Sequence, residues 1–446
     1  MPASPARTAA FDILLRVERQ SSYASELLHS ATYRNLSTPD HALATEIVLG
    51  VLRWRSVLDA KISQASSQPL KKLDLEILIA LRLALYQFLH LDRIPHRAAL
   101  HESVELVKRA RKRSAAPFVN AVLRKLSEDP LCSSVTPVVN DLSPPSLAAA
   151  YAHPEWLVER WTMQYGPEAA QKICQHNQSI PEVSLRLRTP TAERELASEG
   201  ISLAPGSLLV QARRVRAGDV TKTQSLHLGR VVIQDEASQL IAALVGPGHA
   251  RILDCCAAPG GKALAIADQN PDASITAVEI HPHRARLMRT RFPADTRIDT
   301  VVADARKLPL ADPFDRILAD VPCSGTGTLA RNPEIKWRLT PSDLQELHDR
   351  QLAILRSAVK QLKPGGRVIY STCSLEKEEN EDVIEQLLAE ESTFCLFDCR
   401  SELDRLKAAG SLLITDPPSL TRGPYLRTIP GLHPCDGFFA AILGGT

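Results

Sequence analysis

Ala250-Arg-Ile-Leu-Asp254-Cys-Cys-Ala-Ala-Pro-Gly-Gly-Lys262 decides the fold. A short apolar run ends on an acid, a proline–glycine–glycine turn follows, and a helix begins. Glycine in such a turn makes a tight bend and lets a ligand approach bare backbone. The turn is neither GxGxxG nor GxxxxGK[ST], the signatures of dinucleotide and triphosphate sites. A smaller nucleoside ligand fits it better.

The same rhythm continues toward the C-terminus. Apolar runs at 275–279, 299–304, 315–320 and 367–371 alternate with helical segments, and 394–397 and 437–443 complete the set. This alternation predicts an α/β domain, a doubly wound Rossmann-like sheet, over 236–446. Asp254, Glu279, Asp304 and Asp320 each end a run. A lone acid there would cap the next helix. Four in succession around a Gly-Gly turn point to a bound nucleoside. Glu279 is placed for two ribose hydroxyls, Asp304 for an adenine amino group, and Asp320 for the reacting centre. S-adenosylmethionine has the ribose and the adenine and lacks phosphate.

Two cysteines follow two of these runs, in Phe314-Asp-Arg-Ile-Leu-Ala-Asp-Val-Pro-Cys323-Ser-Gly-Thr-Gly and in Arg367-Val-Ile-Tyr-Ser-Thr-Cys373-Ser. The carboxyl edge of an open parallel sheet is where ligands bind. A thiolate is both a strong nucleophile and a leaving group. Few reactions use two thiols over one pocket, and methylation of carbon 5 of a pyrimidine is one. Cys132, Cys174, Cys395, Cys399 and Cys435 read as small buried hydrophobes. Cys255 and Cys256 read as packing residues behind the turn. With no CxxC the spacings suggest no metal, and nine cysteines in 446 residues form no disulfide framework.

Residues 1–130 hold 19 Lys+Arg against 13 Asp+Glu, a net of +6, while the remainder is net −4. Helical spacing of apolar residues runs through this basic third, broken at Pro39, Pro69 and Pro95. The expected organisation is a helical domain at 1–130, a linker at 131–147, a small α/β subdomain at 148–235 and the catalytic domain at 236–446. Strands are expected at 183–188, 208–211 and 231–234. Lys108-Arg109-Ala110-Arg111-Lys112-Arg113 is free of acids and is expected on a helix, facing phosphates. The opening MPASPARTAAFDILLRVER meets charge too early for a signal peptide. No apolar run is long enough to span a bilayer. A cytoplasmic, monomeric protein is expected.

The combination of AAPGGK, ADVPCSGTGT, RNPEIKW, YSTCSLEKEENE and a closing DGFFAAIL resembles the NOL1/NOP2/Sun family of RNA 5-methylcytosine methyltransferases. The helical region resembles NusB-like RNA-binding domains, and the pairing resembles bacterial 16S rRNA methyltransferases. That resemblance implies S-adenosylmethionine held by Cys256, Ala257, Ala258, Pro259, Gly260, Gly261, Lys262, Glu279, Asp304 and Asp320. It implies Cys373 as nucleophile, Cys323 in product release and 16S rRNA as partner. Asn332-Pro-Glu stands where relatives commonly carry His-Pro-Asp, and cysteine follows Asp254.

The chemistry explains the parts. Carbon 5 of cytosine is a poor nucleophile until a thiolate adds to carbon 6, so one hard step becomes two easier ones. The second thiol, directly or through a water, helps remove the carbon-5 proton. Asp320 suits the amino edge of the base, which must leave its stack to reach the pocket. Lys336 and Trp337 are read as possible RNA contacts, with packing an equal alternative for Trp337. Other readings are a DNA cytosine methyltransferase, in which the Pro-Cys cysteine would be the nucleophile, a C5-methyltransferase acting on another RNA such as tRNA, and a non-enzymatic RNA-binding protein.

Overall fold

The computed structural model describes residues 3–445 apart from 21, 31, 34, 129–138, 140, 249, 295 and 415. The chain forms two units: Met1–Ile180 with Leu329–Arg338, and Pro181–Thr328 with Leu339–Thr446. Residues 131–138 and 140 of the expected linker, Cys132 among them, lie outside the described residues, and its last four residues open the helix Pro144–Ala150. Among the described residues no helix is long and apolar enough to cross a membrane.

The first unit is helical. Helices Pro5–Gln20, Thr38–Ala65, Leu75–His90, His96–Arg109 and Ala116–Glu128 enclose a core that includes Phe11, Leu52, Leu81 and Leu123. Ser37 caps the second of these, accepting Asp40 N–H at 3.2 Å, and Pro39 sits in the first turn where its missing N–H costs nothing. Helices Pro144–Ala150, Glu155–Tyr165 and Pro167–Gln178 group with this unit.

The basic run is not on one helix. The helix ends at Arg109, Arg111 has φ +62°, and a 3₁₀ turn begins at Arg113. Lys108 pairs with Glu105, Arg109 with Asp12 and Lys112 with Asp74. Only Arg111 and Arg113 remain exposed without an acidic partner among the described residues.

Leu329–Arg338, ten residues that leave the second unit after Thr328, group with the helical one. Lys336 is 1% exposed and donates from Nζ to Arg53 O at 3.0 Å. Trp337 Nε1 donates to Leu52 O at 2.6 Å, and Ala24 N donates to Glu334 Oε1 at 2.8 Å. This corrects the RNA-contact reading of Lys336: its ammonium is turned inward, and the side chain is packing. Burial drives its pKa well below the usual lysine value. Trp337 takes its packing alternative.

The second unit holds two sheets. The smaller runs β2(Ser202–Pro205)–β3(Ala212–Ala217)–β1(Ser184–Leu187)–β4(Val231–Ile233), all antiparallel. Leu208–Gln211 is not a strand. The N–H groups of Ser207, Leu208 and Leu209 all point at the buried Glu236 carboxylate, at 2.7–3.0 Å, so no sheet can use them. The Leu208 and Leu209 side chains plug the core instead.

The larger sheet has nine strands. Its parallel part is β7(Ile298–Val302)–β6(Ser274–Glu279)–β5(Arg251–Asp254)–β8(Phe314–Asp320)–β9(Leu362–Thr372). An antiparallel extension follows: β13(Phe438–Gly445) pairs β9, and β10(Phe394–Phe397) and β12(Tyr425–Thr428) pair β13, with β11(Thr421–Arg422) outermost. The chain leaves β5 in one direction for β6 and β7, then returns on its other side for β8 and β9. The gap between β5 and β8 is therefore the switch point, where such sheets bind ligands.

Candidate active site

Parallel register puts the ends of β5, β8 and β9 at one edge. Asp254 ends β5, Asp320 ends β8 opposite Ser371 of β9, and the two cysteines follow three and one residues beyond their strands. Cys323 Sγ lies 3.2 Å from Cys373 Sγ and accepts Cys373 N–H at 3.3 Å. Both side chains are half-buried. The hydrogen bond with Cys373 and burial hold the Cys323 thiol well above its ordinary value.

A buried carboxylate ties the two loops together. Glu379 is 0% exposed. Its Oε1 accepts Ser324 N–H at 2.7 Å and Gln351 Nε2 at 2.9 Å; its Oε2 accepts the Ser324 and Ser374 hydroxyls. Those serines directly follow the two cysteines. The backbone closes the same join: Gly327 N–H donates to Cys373 O at 2.9 Å. Gly437 of the closing motif sits so near Gly327 that a Cβ on Gly327 would lie 2.2 Å from Gly437 O. Sequence reasoning missed Glu379 because an acid-rich stretch reads as surface. The signal was there in the repeated Cys-Ser pair and one acid a few residues on.

Lys262 Nζ pairs with Asp320 Oδ2 at 2.7 Å and lies 5.1 Å from the Phe438 ring centre. Burial alone would lower the ammonium's pKa; Asp320, with Cys373 and Asp254 near, turns the net direction upward. Asp320 Oδ1 accepts the Ser371 hydroxyl at 2.7 Å.

The donor set fits a nucleoside-containing sulfonium such as S-adenosylmethionine. Asp254 is 1% exposed, and among the described residues neither carboxylate oxygen has a well-formed hydrogen bond, with only the Lys262 charge and the Cys256 N–H near enough to oppose the rise of its pKa. Burial and the Asp320 charge push its pKa up to about 7. A buried orphan acid is costly unless something supplies the missing donors. Glu279 is 7% exposed; its Oε1 takes His281 N–H at 2.7 Å, and Oε2 has no partner among the described residues. Between them runs the turn Cys256–Lys262. Gly260 has φ +100°, and its added Cβ would meet Met288 and Phe292 at 2.9 Å, so only glycine serves there. Ala257 N–H bonds Val278 O at 2.8 Å, Ala258–Pro259 is cis, and Gly261 opens the helix Gly261–Gln269. Cys255 is buried and Cys256 half-buried, and burial pushes both thiols up.

Asp304, also expected at the cofactor, has a local partner of its own. It lies two residues past β7, caps the following 3₁₀ turn, and is gripped by Arg306 at 2.6 Å, which lowers its pKa.

Three family models match in series: NusB family over 4–128, an RsmF/B-like ferredoxin-like domain over 153–216, and 16S rRNA methyltransferase RsmB/F over 242–444. The chain is 36% identical to the probable ribosomal RNA small subunit methyltransferase B of Bacillus subtilis (strain 168), covering 88% of this chain and 90% of that one. It is 32% identical to the probable ribosomal RNA small subunit methyltransferase B of Synechocystis sp., covering 98% and 99%. In fold it is similar to the crystal structure of PH0851, with a TM-score of 0.79 and 22% identity over 100% of this chain and 99% of that one. NSun6 from Pyrococcus horikoshii gives a TM-score of 0.56 at 20% identity over 66% and 98%. The near-full-length identity, together with the matched domains in the same order, means that this chain belongs to the 16S rRNA methyltransferase RsmB/F family.

Proposed function

We propose that this chain methylates carbon 5 of a cytosine in 16S rRNA, with Cys373 as the nucleophile and Cys323 serving product release. As a family member it is an S-adenosylmethionine-dependent methyltransferase. The rRNA substrate is carried over from the relatives, which are named ribosomal RNA small subunit methyltransferases. The observation that carries the chemistry is the pair of thiols 3.2 Å apart at the switch-point edge, beside the Lys262–Asp320 pair.

S-adenosylmethionine, when bound, supplies an electrophilic methyl group; Asp254, Glu279 and the Cys256–Lys262 turn would hold it. Cys373 adds as thiolate to carbon 6 of the flipped base, and the carbon 5–carbon 6 electron pair moves to carbon 5. Cys323 does not compete, because its raised pKa keeps it a neutral thiol. Once Cys373 is bonded to carbon, its thiol no longer holds Cys323, which removes the largest of the causes that raise it. Cys323 gives its proton to water and, as thiolate, takes the carbon-5 proton, directly or through a water. The electrons left behind re-form the double bond and expel the Cys373 thiolate. Asp320, held by Lys262, faces this centre and is suited to the amino edge of cytosine.

Substitution separates the two thiols. Cys373→Ala should abolish both methyl transfer and the protein–RNA adduct. Cys323→Ala should add and methylate but stall, leaving an adduct that survives a denaturing gel. An adduct in Cys373→Ala and none in Cys323→Ala would reverse the roles and overturn the proposal.

A further inference from the structure

We propose that the outer face of the helix Pro282–Arg289, extended by Arg291, is a phosphate-binding surface for the RNA substrate. The inference rests on the RNA reading above and adds a surface to it. Residues 280–294, Ile-His-Pro-His-Arg-Ala-Arg-Leu-Met-Arg-Thr-Arg-Phe-Pro-Ala, hold four arginines and two histidines and no acid, inside the part of the chain that is net −4.

The helix sorts these residues cleanly. Ala285 and Met288 are buried at 2% and 1%, and they fix the inward face. His283, Arg286 and Arg289 follow one another at three-residue spacing, so they form one outward stripe. Among the described residues no carboxylate neutralises it. Arg286 Nε reaches only the Pro282 carbonyl at 3.3 Å, and Arg291 Nη1 only the Pro259 carbonyl at 3.4 Å. Arg289 has no partner among the described residues. Of the two acids that flank the run in sequence, Glu279 is buried and bonded to His281 N–H, and Asp295 lies outside the described residues. The contrast with Lys108–Arg113 is direct, since three of those five cations are already paired with acids.

Position favours RNA as the occupant. The helix opens three residues after Glu279 at the carboxyl edge of β6, and its far end packs on the Pro259–Gly260 turn. A backbone lying along the stripe therefore passes beside the cofactor turn. Leu287, 60% exposed among the arginines, offers an apolar step for a sugar or base face. Phosphate contacts of this kind position a nucleic acid without reading its sequence.

The full-length protein decides the matter, with Arg286→Glu/Arg289→Glu and Arg286→Lys/Arg289→Lys compared with wild type. Filter binding to a 16S rRNA transcript is titrated across KCl, and S-adenosylmethionine affinity is measured by calorimetry. The glutamate pair should weaken RNA binding at least tenfold at about 0.1 M salt. It should also reduce the salt slope by about 1.4, at ~0.7 per single-stranded contact. Cofactor affinity should stay unchanged, and the lysine pair should restore most of the slope. An unchanged slope in the glutamate pair overturns the surface. So does a loss confined to anionic lipid vesicles with RNA binding intact. Should the glutamate pair also lose cofactor binding, the lysine pair decides: a near-normal slope supports the surface, and an equal loss overturns it. A wild-type chain that binds rRNA by this slope yet methylates no cytosine sinks the C5 reading and leaves the surface standing.

Discussion

Each serine that follows a cysteine donates to Glu379, so a single carboxylate sets the distance between the two thiols. Hydrogen bonds to a charged group are worth about 1.5–3 kcal/mol each. Glu379→Gln keeps one acceptor oxygen and turns an amide N–H₂ toward donors. The thiols should drift apart, and adduct formation should slow by at least tenfold while S-adenosylmethionine affinity holds. Full-rate adduct formation in a folded Glu379→Gln would show that the join is only packing. Glu279→Ala should cost ten- to a hundredfold in S-adenosylmethionine affinity by calorimetry, from loss of a charged acceptor; unchanged affinity in a folded variant would remove it from the site. Asp254 gives a pH signature. Its folded pKa of about 7 lies above the ordinary 3.8, so the folded state holds the extra proton between them. Its contribution to stability is complete below about pH 4 and is lost as pH rises through about 7. Without ligand, wild type should therefore lose melting temperature relative to Asp254→Asn from pH 5 to 7.5; parallel curves would refute the buried, orphaned acid. The sequence made Asp254, Glu279, Asp320 and both cysteines legible, because strand-end acids and Pro-Cys and Thr-Cys pairs are local patterns. Glu379 and the Lys262–Asp320 pair were not, because they depend on which strand ends meet across the sheet.

Elements were legible where one local rule sufficed. The five parallel strands and the helices broken at Pro39, Pro69 and Pro95 stand where apolar periodicity put them. Leu208–Gln211 failed as a strand and forms only an isolated bridge with Leu412, because a carboxylate 27 and 28 residues away takes the N–H groups of Leu209 and Leu208, and no local pattern announces that. The arginine-rich Ala212–Ala217 became the strand instead, with its cations partly exposed. Lys336 failed similarly, since a lysine in a polar loop reads as surface. Its burial has a measurable sign. An unfolded lysine stays protonated up to about pH 10, whereas burial puts the folded one's pKa well below that. The folded state binds fewer protons in that window, so stability of the helical unit rises with pH. All four tryptophans, Trp54, Trp156, Trp161 and Trp337, lie in that unit. The unfolding midpoint read by tryptophan fluorescence should climb from pH 8 to 9.5 in wild type, by up to about 1.4 kcal/mol per pH unit. It should climb less in Lys336→Met. Equal slopes would place a charged Lys336 in solvent.

On the scale of the molecule, the chain does not run through its units in order. Five residues after Cys323 it leaves the catalytic unit, lends Leu329–Arg338 to the helical one, and returns. Leu329, Ala330, Glu334 and Lys336 are all at most 1% exposed there, among the helices of residues 1–180. Charge set the basic third apart from the remainder, and nothing in composition announces a segment that crosses between the two. A fragment of residues 181–446 keeps the strands, the cysteines and the cofactor turn. It loses the helices that carry the partners of Glu334, Lys336 and Trp337. Trypsin should therefore cut the fragment after Lys336 and Arg338 within minutes, under conditions in which the full chain resists at both bonds. Trp337, then the fragment's only tryptophan, should emit at the red-shifted wavelength of a solvated indole. A protected segment with blue-shifted emission would mean that the catalytic unit buries it unaided. The cysteine loop would then be independent of the helical domain.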